Sequence, residues 1–334
     1  MRAPGVVVQP SPGVAVGPTL LSCELKSRAG VSLSFIDESR VRELLRPEEL
    51  IPAVRRALAD LSAGRVVQPV RVVVPAADHA GFLGIMPAYA ANALGAKLVT
   101  FYPANAGVPT HHALIVLFRP ETGEPIALMD GRLITEMRTA AASAVATELL
   151  ARADAAVLAI LGSGVQAASH LEALRLVRPI REVRVWSPRH AAAFAARHGV
   201  HAAGSAEEAV RGADLIVTAT SATSPVLRGE WVSSGAHVNA VGACRPDWRE
   251  LDDDLLQRAR IWVDSRDAAL QESGDVIAGS DRLMGEIGSV AGGGLAGRAS
   301  AGEVTLFKSL GVAVEDLAAA ELVRSRLASN ASAR

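Results

Sequence analysis

The chain has 334 residues, half of them apolar but only 4% aromatic, which allows two domains with separate cores and favours helices packed closely on a sheet over an aromatic-rich sandwich. Its 34 basic and 35 acidic residues, for a net charge of −1, form no long run of one sign, so the basic footprint of a nucleic-acid-binding protein is excluded. The two cysteines, Cys23 and Cys244, have neither close spacing nor clustered histidines, which excludes a disulfide framework and a structural metal site, and no apolar run reaches the roughly 18 to 20 residues needed to cross a bilayer.

The first 30 residues, rich in Pro, Gly and Val, are expected to be a poorly ordered extension with no secretory pattern, and a reducing, cytoplasmic setting is expected for the protein. Order is expected from near Ser34, where Asp37 can cap a helix and Leu44, Leu45, Leu50, Ile51, Val54, Leu58 and Leu61 recur at helical spacing. Between Gln68 and Phe118 short β-rich runs follow, Val70–Val74, Leu83–Met86, Lys97–Tyr102 and Ala113–Phe118, broken by Pro and Gly as in an antiparallel sheet. A turn at Arg119–Gly123, a strand at Pro125–Met129 and an Ala-rich helix from about Thr135 to Ala151 come next.

From Val157 strands alternate with helices: VLAIL, a helix to Val177, EVRVW, a helix over Ala191–His198, a short helix over Ala206–Val210, then DLIVTAT, AHVNAV and RIWVD. This alternation implies a parallel, doubly wound α/β sheet of Rossmann type. Ser205 and Glu208 have capping-box spacing. After the Gly-rich stretch beyond Gly292, a last helix from Gly311 to about Leu327 is expected to return to the first domain.

The strongest motif lies where the strand VLAIL meets a helix. Gly162 permits a tight turn, Gly164 lets a pyrophosphate approach the backbone, Val165 and Gln166 open the helix with free N–H groups, and Ala167 is small where helix meets strand. The next strand ends in Ser187, Pro188, Arg189 and His190, without the carboxylate that would hold an unphosphorylated ribose. One hydroxyl and two potentially cationic groups point to NADP(H) rather than NAD(H).

Arg71, Lys97 and Arg138 sit in apolar or strand-like surroundings, where an unpaired cation is costly; a bound carboxylate or an internal ion pair would each satisfy them. His111 and His112 are adjacent in a strand and should point to opposite faces. Cys244 has no neighbouring base in sequence to make it a nucleophile.

The stretches QPVRVVVP, GIMPAY, AKLVTFYP, MDGRLIT with RTAAASAVAT, LGSGVQAASH, NAVGACRPDWRELDD, ESGDV and VTLFKSLGVAVEDLAAA resemble the ornithine cyclodeaminase and mu-crystallin family, most closely its ketimine-reductase branch. The resemblance implies a substrate-binding and dimerisation domain built from residues 31–138 and 304–330, an NADP-binding Rossmann domain over 139–303, and a homodimer. It places Arg71, Lys97, Arg138, Glu272 and Cys244 on the substrate side, and His111, Thr139, Thr220, Val241 and Ser309 by the cofactor. Cyclodeaminases carry an aspartate at the position of Cys244, so the thiol disfavours cyclodeamination.

The expected activity is NADPH-dependent reduction of the C=N bond of cyclic ketimine carboxylates of piperideine, pyrroline or thiomorpholine type. The alternatives are a cyclodeaminase-like lyase, an amino-acid dehydrogenase, or a binding protein for an iodothyronine hormone or a crystallin-type structural protein.

Overall fold

The computed structural model describes residues 24–26, 32–91 and 93–332. The first part of the chain forms β1 (Glu24–Lys26), β2 (Ser32–Ile36), α1 (Glu38–Leu44), α2 (Pro47–Ser62), β3 (Val66–Val67), β4 (Val72–Ala76), β5 (Gly81–Ala90), β6 (Ala93–Phe101), β7 (His111–Phe118), β8 (Pro125–Asp130) and α3 (Arg132–Leu150). The second part forms β9 (Val157–Leu161), α4 (Val165–Val177), β10 (Glu182–Trp186), α5 (Ala191–His198), β11 (His201–Ala202), α6 (Ala206–Val210), β12 (Leu215–Thr218), β13 (His237–Ala240), α7 (Asp253–Arg258), β14 (Arg260–Val263), α8 (Arg266–Glu272), α9 (Gly274–Ala278), β15 (Leu283–Glu286), α10 (Ile287–Ala291), β16 (Thr305–Lys308) and α11 (Ala313–Ser332).

The helix starts expected from side-chain capping are present. Asp37 Oδ1 accepts from the Arg40 N–H at 2.8 Å, and Ser205 Oγ accepts from the Glu208 N–H at 3.0 Å. The return bond of the box is displaced by one residue, because the Glu208 carboxylate takes the Gly204 N–H.

The first sheet runs β1-β2-β8-β7-β6-β5-β3, with β4 also on β5, and is antiparallel except where β2 lies parallel to β8. Register sets its two faces. Lys97 pairs with Ile115, Val99 with Ala113 and Phe101 with His111, so Lys97 and His111 share the inner face, on which α3 and α11 pack. On the outer face Val72 pairs with Ile85, Ile85 with Leu98 and Leu98 with Leu114, an apolar row in which Val72, Leu98 and Leu114 are exposed.

The second sheet is wholly parallel in the order β11-β10-β9-β12-β13-β16-β14-β15. Its central strands are buried on both faces, as helical layers on either side require.

One boundary differs from expectation. Thr305–Lys308, expected with the chain-end segment that starts at residue 304, inserts between β13 and β14. All four of its residues are buried, so the segment carries no alternation from which a strand could be read. The expected division between residues 138 and 139 falls inside the single helix α3, which packs on α2 and α11 and also on α4.

The final helix α11 packs against α2, α3, β5 and β6. The extension expected over residues 1–30 lies outside the described residues except for 24–26, which form β1. No helix among the described residues is long and apolar enough to cross a membrane.

Candidate active site

The strand β9 ends in Gly162, whose φ of +119° is a backbone conformation that residues with a Cβ rarely adopt. A side chain there would also overlap the carbonyl oxygen of Ala219. Gly164 begins α4 without any side-chain cap, and the space where its Cβ would stand is open. The first-turn N–H groups and the dipole of this 13-residue helix therefore face an uncrowded position suited to a phosphate.

Ala167 is fully buried where the helix meets the sheet, and Val165 is exposed. The buried Gln166 Oε1 has no partner among the described residues. At the end of β10, Ser187 Oγ lies 2.8 Å from Ser163 Oγ and accepts from the His190 N–H at 3.2 Å, while Arg189 and His190 are exposed. A hydroxyl pair thus joins the glycine turn to the strand end that carries the two cationic residues.

From this turn, contacts run across the C-terminal ends of the parallel strands. Thr220 Oγ1 and N–H both donate to the buried Glu250 Oε1, at 2.6 and 2.9 Å, and Thr218 Oγ1 donates to Glu250 Oε2 at 2.8 Å. Gly242 lies so close to Thr220 and Glu250 that a Cβ would collide with both. Its carbonyl accepts from Lys308 Nζ, which also pairs with Asp275 Oδ2 at 3.2 Å. Burial alone would lower the Lys308 pKa, but Asp275 and its other neighbours outweigh that and raise it.

The Val241 N–H donates to the Thr218 carbonyl, and the Cys244 Sγ is 3.5 Å from the Val241 carbonyl and 4.0 Å from that of Ser309. Cys244 is open to solvent on one side, yet the protein around it disfavours the thiolate and pushes its pKa up against the pull of Lys308 and Arg71. The thiol is accordingly poorly suited to act as a nucleophile. Ser309 is buried, and its Oγ has no partner among the described residues.

The turn after β16 carries these contacts towards Arg71, α3 and α11. Asp264 Oδ2 accepts the N–H groups of Leu310 and Gly311 at 2.6 and 2.7 Å. The carbonyls of the same two residues accept from Arg71 Nη2 at 2.8 and 3.0 Å. Arg71 pairs in turn with Glu272, 2.9 Å away, and burial raises the Glu272 pKa although Arg71 opposes it. Both residues line a cavity of about 310 Å³ together with Gln68, Met86 and Gly311. A cavity of similar size at the other, N-terminal end of β14 and β15, lined by Arg258, Arg260 and Arg282, touches none of this machinery.

Behind Gly311 lies a buried cluster of four charged groups. Arg138 donates from Nε to Asp316 Oδ1 at 3.0 Å and from Nη1 to Glu315 Oε2 at 2.7 Å, while Lys97 Nζ stands 2.7 Å from Asp316 Oδ2. Gly311 packs so tightly on the Arg138 guanidinium that any side chain would overlap it.

Burial and the neighbouring Arg138 push the Lys97 pKa down to about 8 in spite of Asp316. His111, on the same sheet face, is pushed down to about 4 by burial and by Lys97 and Arg138, so it is neutral at pH 7. Burial would raise Asp316, but Arg138 and Lys97 hold it low. Glu315 is raised to about 7 by burial, with Asp264 and Asp316 adding to the shift and Arg138 opposing it.

Each of the three cations singled out in the sequence therefore has an internal carboxylate partner. Their burial is explained by ion pairs, without a bound anion. Thr139 lies beside Arg138 on α3, and its hydroxyl donates to the Thr135 carbonyl. The acids Glu250, Asp264, Asp275, Glu315 and Asp316 are not singled out by the sequence, since acids in loops and helix starts are ordinarily solvated. One signal was available: Glu315 and Asp316 interrupt the otherwise apolar run GVAVEDLAAA, where two adjacent charges need buried partners.

A model described as the ornithine cyclodeaminase/mu-crystallin family matches residues 34–331. The chain belongs to this family. It is 51% identical over 302 residues to the mouse (Mus musculus) ketimine reductase mu-crystallin, covering 87% of this chain and 96% of the mouse protein. A Delta(1)-pyrroline-2-carboxylate reductase of Bacillus cereus (strain ZK / E33L) is 36% identical over 306 residues, with coverage of 86% and 94%. The Thermococcus litoralis Delta(1)-pyrroline-2-carboxylate reductase, solved in complex with NADH and L-proline, superimposes with a TM-score of 0.85 at 36% identity over 89% of this chain and 98% of that one. Family membership spans both sheets, so the glycine turn and the ion cluster belong to one matched unit.

Proposed function

We propose that this member of the family is a pyridine-nucleotide-dependent oxidoreductase that reduces the C=N bond of cyclic ketimine carboxylates to cyclic amino acids. The observation that carries the reading is the continuous set of contacts from the open glycine turn to Lys97, a buried amine whose pKa of about 8 lets it hold or release a proton near neutrality. The names of the mouse and Bacillus relatives support it.

A bound nicotinamide supplies the hydride. The chain supplies geometry, charge and the proton. Arg71, Lys97 and Arg138 supply the positive charge for a substrate carboxylate, which competes for the guanidinium groups of Arg71 and Arg138 with the acids that hold them. Reduction adds a hydride at the imine carbon and a proton at nitrogen; Lys97 Nζ, lowered to about 8, is the amine that carries this proton, and Glu272, raised by burial, is the acid lining the cavity. Half-buried, neutral His111 keeps a further cation out of a cluster that already holds Lys97 and Arg138.

NADP(H) is the preferred form in this reading, because Ser187, Arg189 and His190 offer a 2′-phosphate a hydroxyl and two cationic side chains and no acid. The parallel-sheet unit carries the cofactor, and the first sheet with α11 carries the substrate side. The outer face of that sheet, with Phe35, Val72, Val74, Tyr89, Leu98 and Leu114 exposed, supports self-association into a homodimer. Purified protein given a cyclic imine carboxylate should oxidise NADPH stoichiometrically and yield the saturated ring amino acid. Cofactor binding with no turnover on any five- or six-membered imine would count against the reading.

A further inference from the structure

One acid of the buried cluster is held more loosely than its neighbours. Glu315 bonds through Oε2 to Arg138 Nη1 at 2.7 Å, whereas its buried Oε1 has no hydrogen-bond partner among the described residues. The charged groups facing it are Arg138 from α3, Asp264 at the end of β14 and Asp316 on its own helix; Lys97 from β6 lies beyond Asp316, and Arg71 beyond Gly311. Four acids, Asp264, Glu272, Glu315 and Asp316, thus stand against three cations, Arg71, Lys97 and Arg138. A carboxylate ligand would add a second surplus negative charge to a site nearly closed to water, where like charges are not screened.

Resting on the imine-reductase reading, we propose that Glu315 takes up a proton from solvent when the substrate carboxylate binds and returns it when product leaves. Glu315 is then a positioning residue: once neutral, it releases Arg138 from one of its two carboxylates, so the guanidinium can hold the incoming anion. The chemistry is a single protonation, –COO⁻ to –COOH, with no redox change. Burial already places the Glu315 pKa at about 7 against the pull of Arg138, so a further anion nearby needs to move it only modestly. Lys97 titrates higher, at about 8, and His111 lower, at about 4.

The test is isothermal calorimetry on the full chain loaded with oxidised cofactor, using pyrrole-2-carboxylate, a planar ring carboxylate whose nitrogen does not titrate near neutrality. Binding enthalpies in buffers of different ionisation heat give the protons taken up. At pH 7.5 wild type should take up roughly half a proton or more, and above that pH its affinity should fall towards roughly tenfold per pH unit.

Glu315→Gln mimics the protonated acid and should take up no more than about a quarter of a proton, the share the Lys97 amine can contribute, with affinity changing by about twofold at most from pH 6 to 8. Glu315→Asp, which keeps a titrating carboxyl, should retain the uptake. An infrared difference spectrum of wild type carrying carboxyl-labelled glutamate should show a protonated glutamate carboxyl appearing on binding, and it decides the matter if the variants do not fold. Binding without proton uptake, or uptake unchanged in Glu315→Gln, overturns this inference and leaves the reductase reading standing. No binding at any pH overturns both.

Discussion

Asp316→Asn probes the buried charged cluster where α3 and α11 meet the first sheet. Asp316 has no exposed surface and stands between Lys97 Nζ at 2.7 Å and Arg138 Nε at 3.0 Å. The substitution keeps the shape but removes the charge, leaving Lys97 without a carboxylate and Arg138 with Glu315 alone. Removing one partner of a buried ion pair costs about 3–5 kcal/mol, chiefly because the remaining charge stays desolvated.

Lys97 limits that cost. Its pKa, already lowered to about 8 by burial, falls further once Asp316 is neutral, so the amine sheds its proton as the pH rises. The sign follows from proton counts. A lysine whose folded pKa is depressed binds fewer protons in the folded than in the unfolded state between the two pKa values, so stability rises with pH across that window. In the variant the window opens below pH 8, so its deficit against wild type should be largest near pH 6 and narrow by pH 8.

With each kcal/mol worth roughly 2–4 °C in domains of this size, the melting temperature at pH 6 should drop by at least roughly 6 °C. Circular dichroism melts at both pH values would check this. A drop below about 2 °C at pH 6, or a deficit that widens with pH, would refute the reasoning, since the stated cost predicts at least three times that drop.

Gly162→Ala combines an unfavourable φ with a collision against the Ala219 carbonyl, so the turn must open; cofactor affinity should fall at least roughly tenfold, the equivalent of about 1.4 kcal/mol of strain. Quenching of protein fluorescence by reduced cofactor measures it, and unchanged affinity would remove the turn from the binding site. Arg189→Glu places an acid where a 2′-phosphate is proposed to sit, and the ratio of kcat/KM for NADPH over NADH should fall by about tenfold or more.

His170 and His237 are fully buried and neutral, pushed down by burial to about 4 and about 3, from 6.5 in the unfolded chain. Below pH 6.5 the unfolded state takes protons that the folded state refuses. Stability should therefore decline on acidification towards pH 4, by about 1.4 kcal/mol per pH unit for each histidine. Denaturant midpoints at pH 6.5 and 5 test this: His237→Gln should lessen the loss on acidification by one histidine's share, about 1.4 kcal/mol per pH unit, and an unchanged dependence excludes it.

What the sequence determined by itself was local. The strands VLAIL and EVRVW, the glycine turn between strand and helix, and the helices Val165–Val177, Ala191–His198 and Ala206–Val210 are found at the bounds expected from hydrophobic periodicity and capping. Such features depend on residues within a turn or two of each other, and their signal survives without knowledge of the fold. Opposite facing of His111 and His112 is equally local, since it follows from the pleat.

Tertiary structure alone decided what each charge meets. Lys97 and Arg138 could as well have waited for a ligand as for Asp316 and Glu315, which arrive on a helix far along the chain; the separation of Arg138 and Asp316 is 178 residues. Arg71 reaches Glu272 over 201 residues. The strand Thr305–Lys308 was hidden for a related reason: buried on both faces, it carries no alternation, and only its neighbours β13 and β14 make it a strand. Pairing of buried charges and of fully buried strands is settled by Coulomb attraction and hydrogen bonding between segments distant in the chain, and periodicity along one segment does not contain that information.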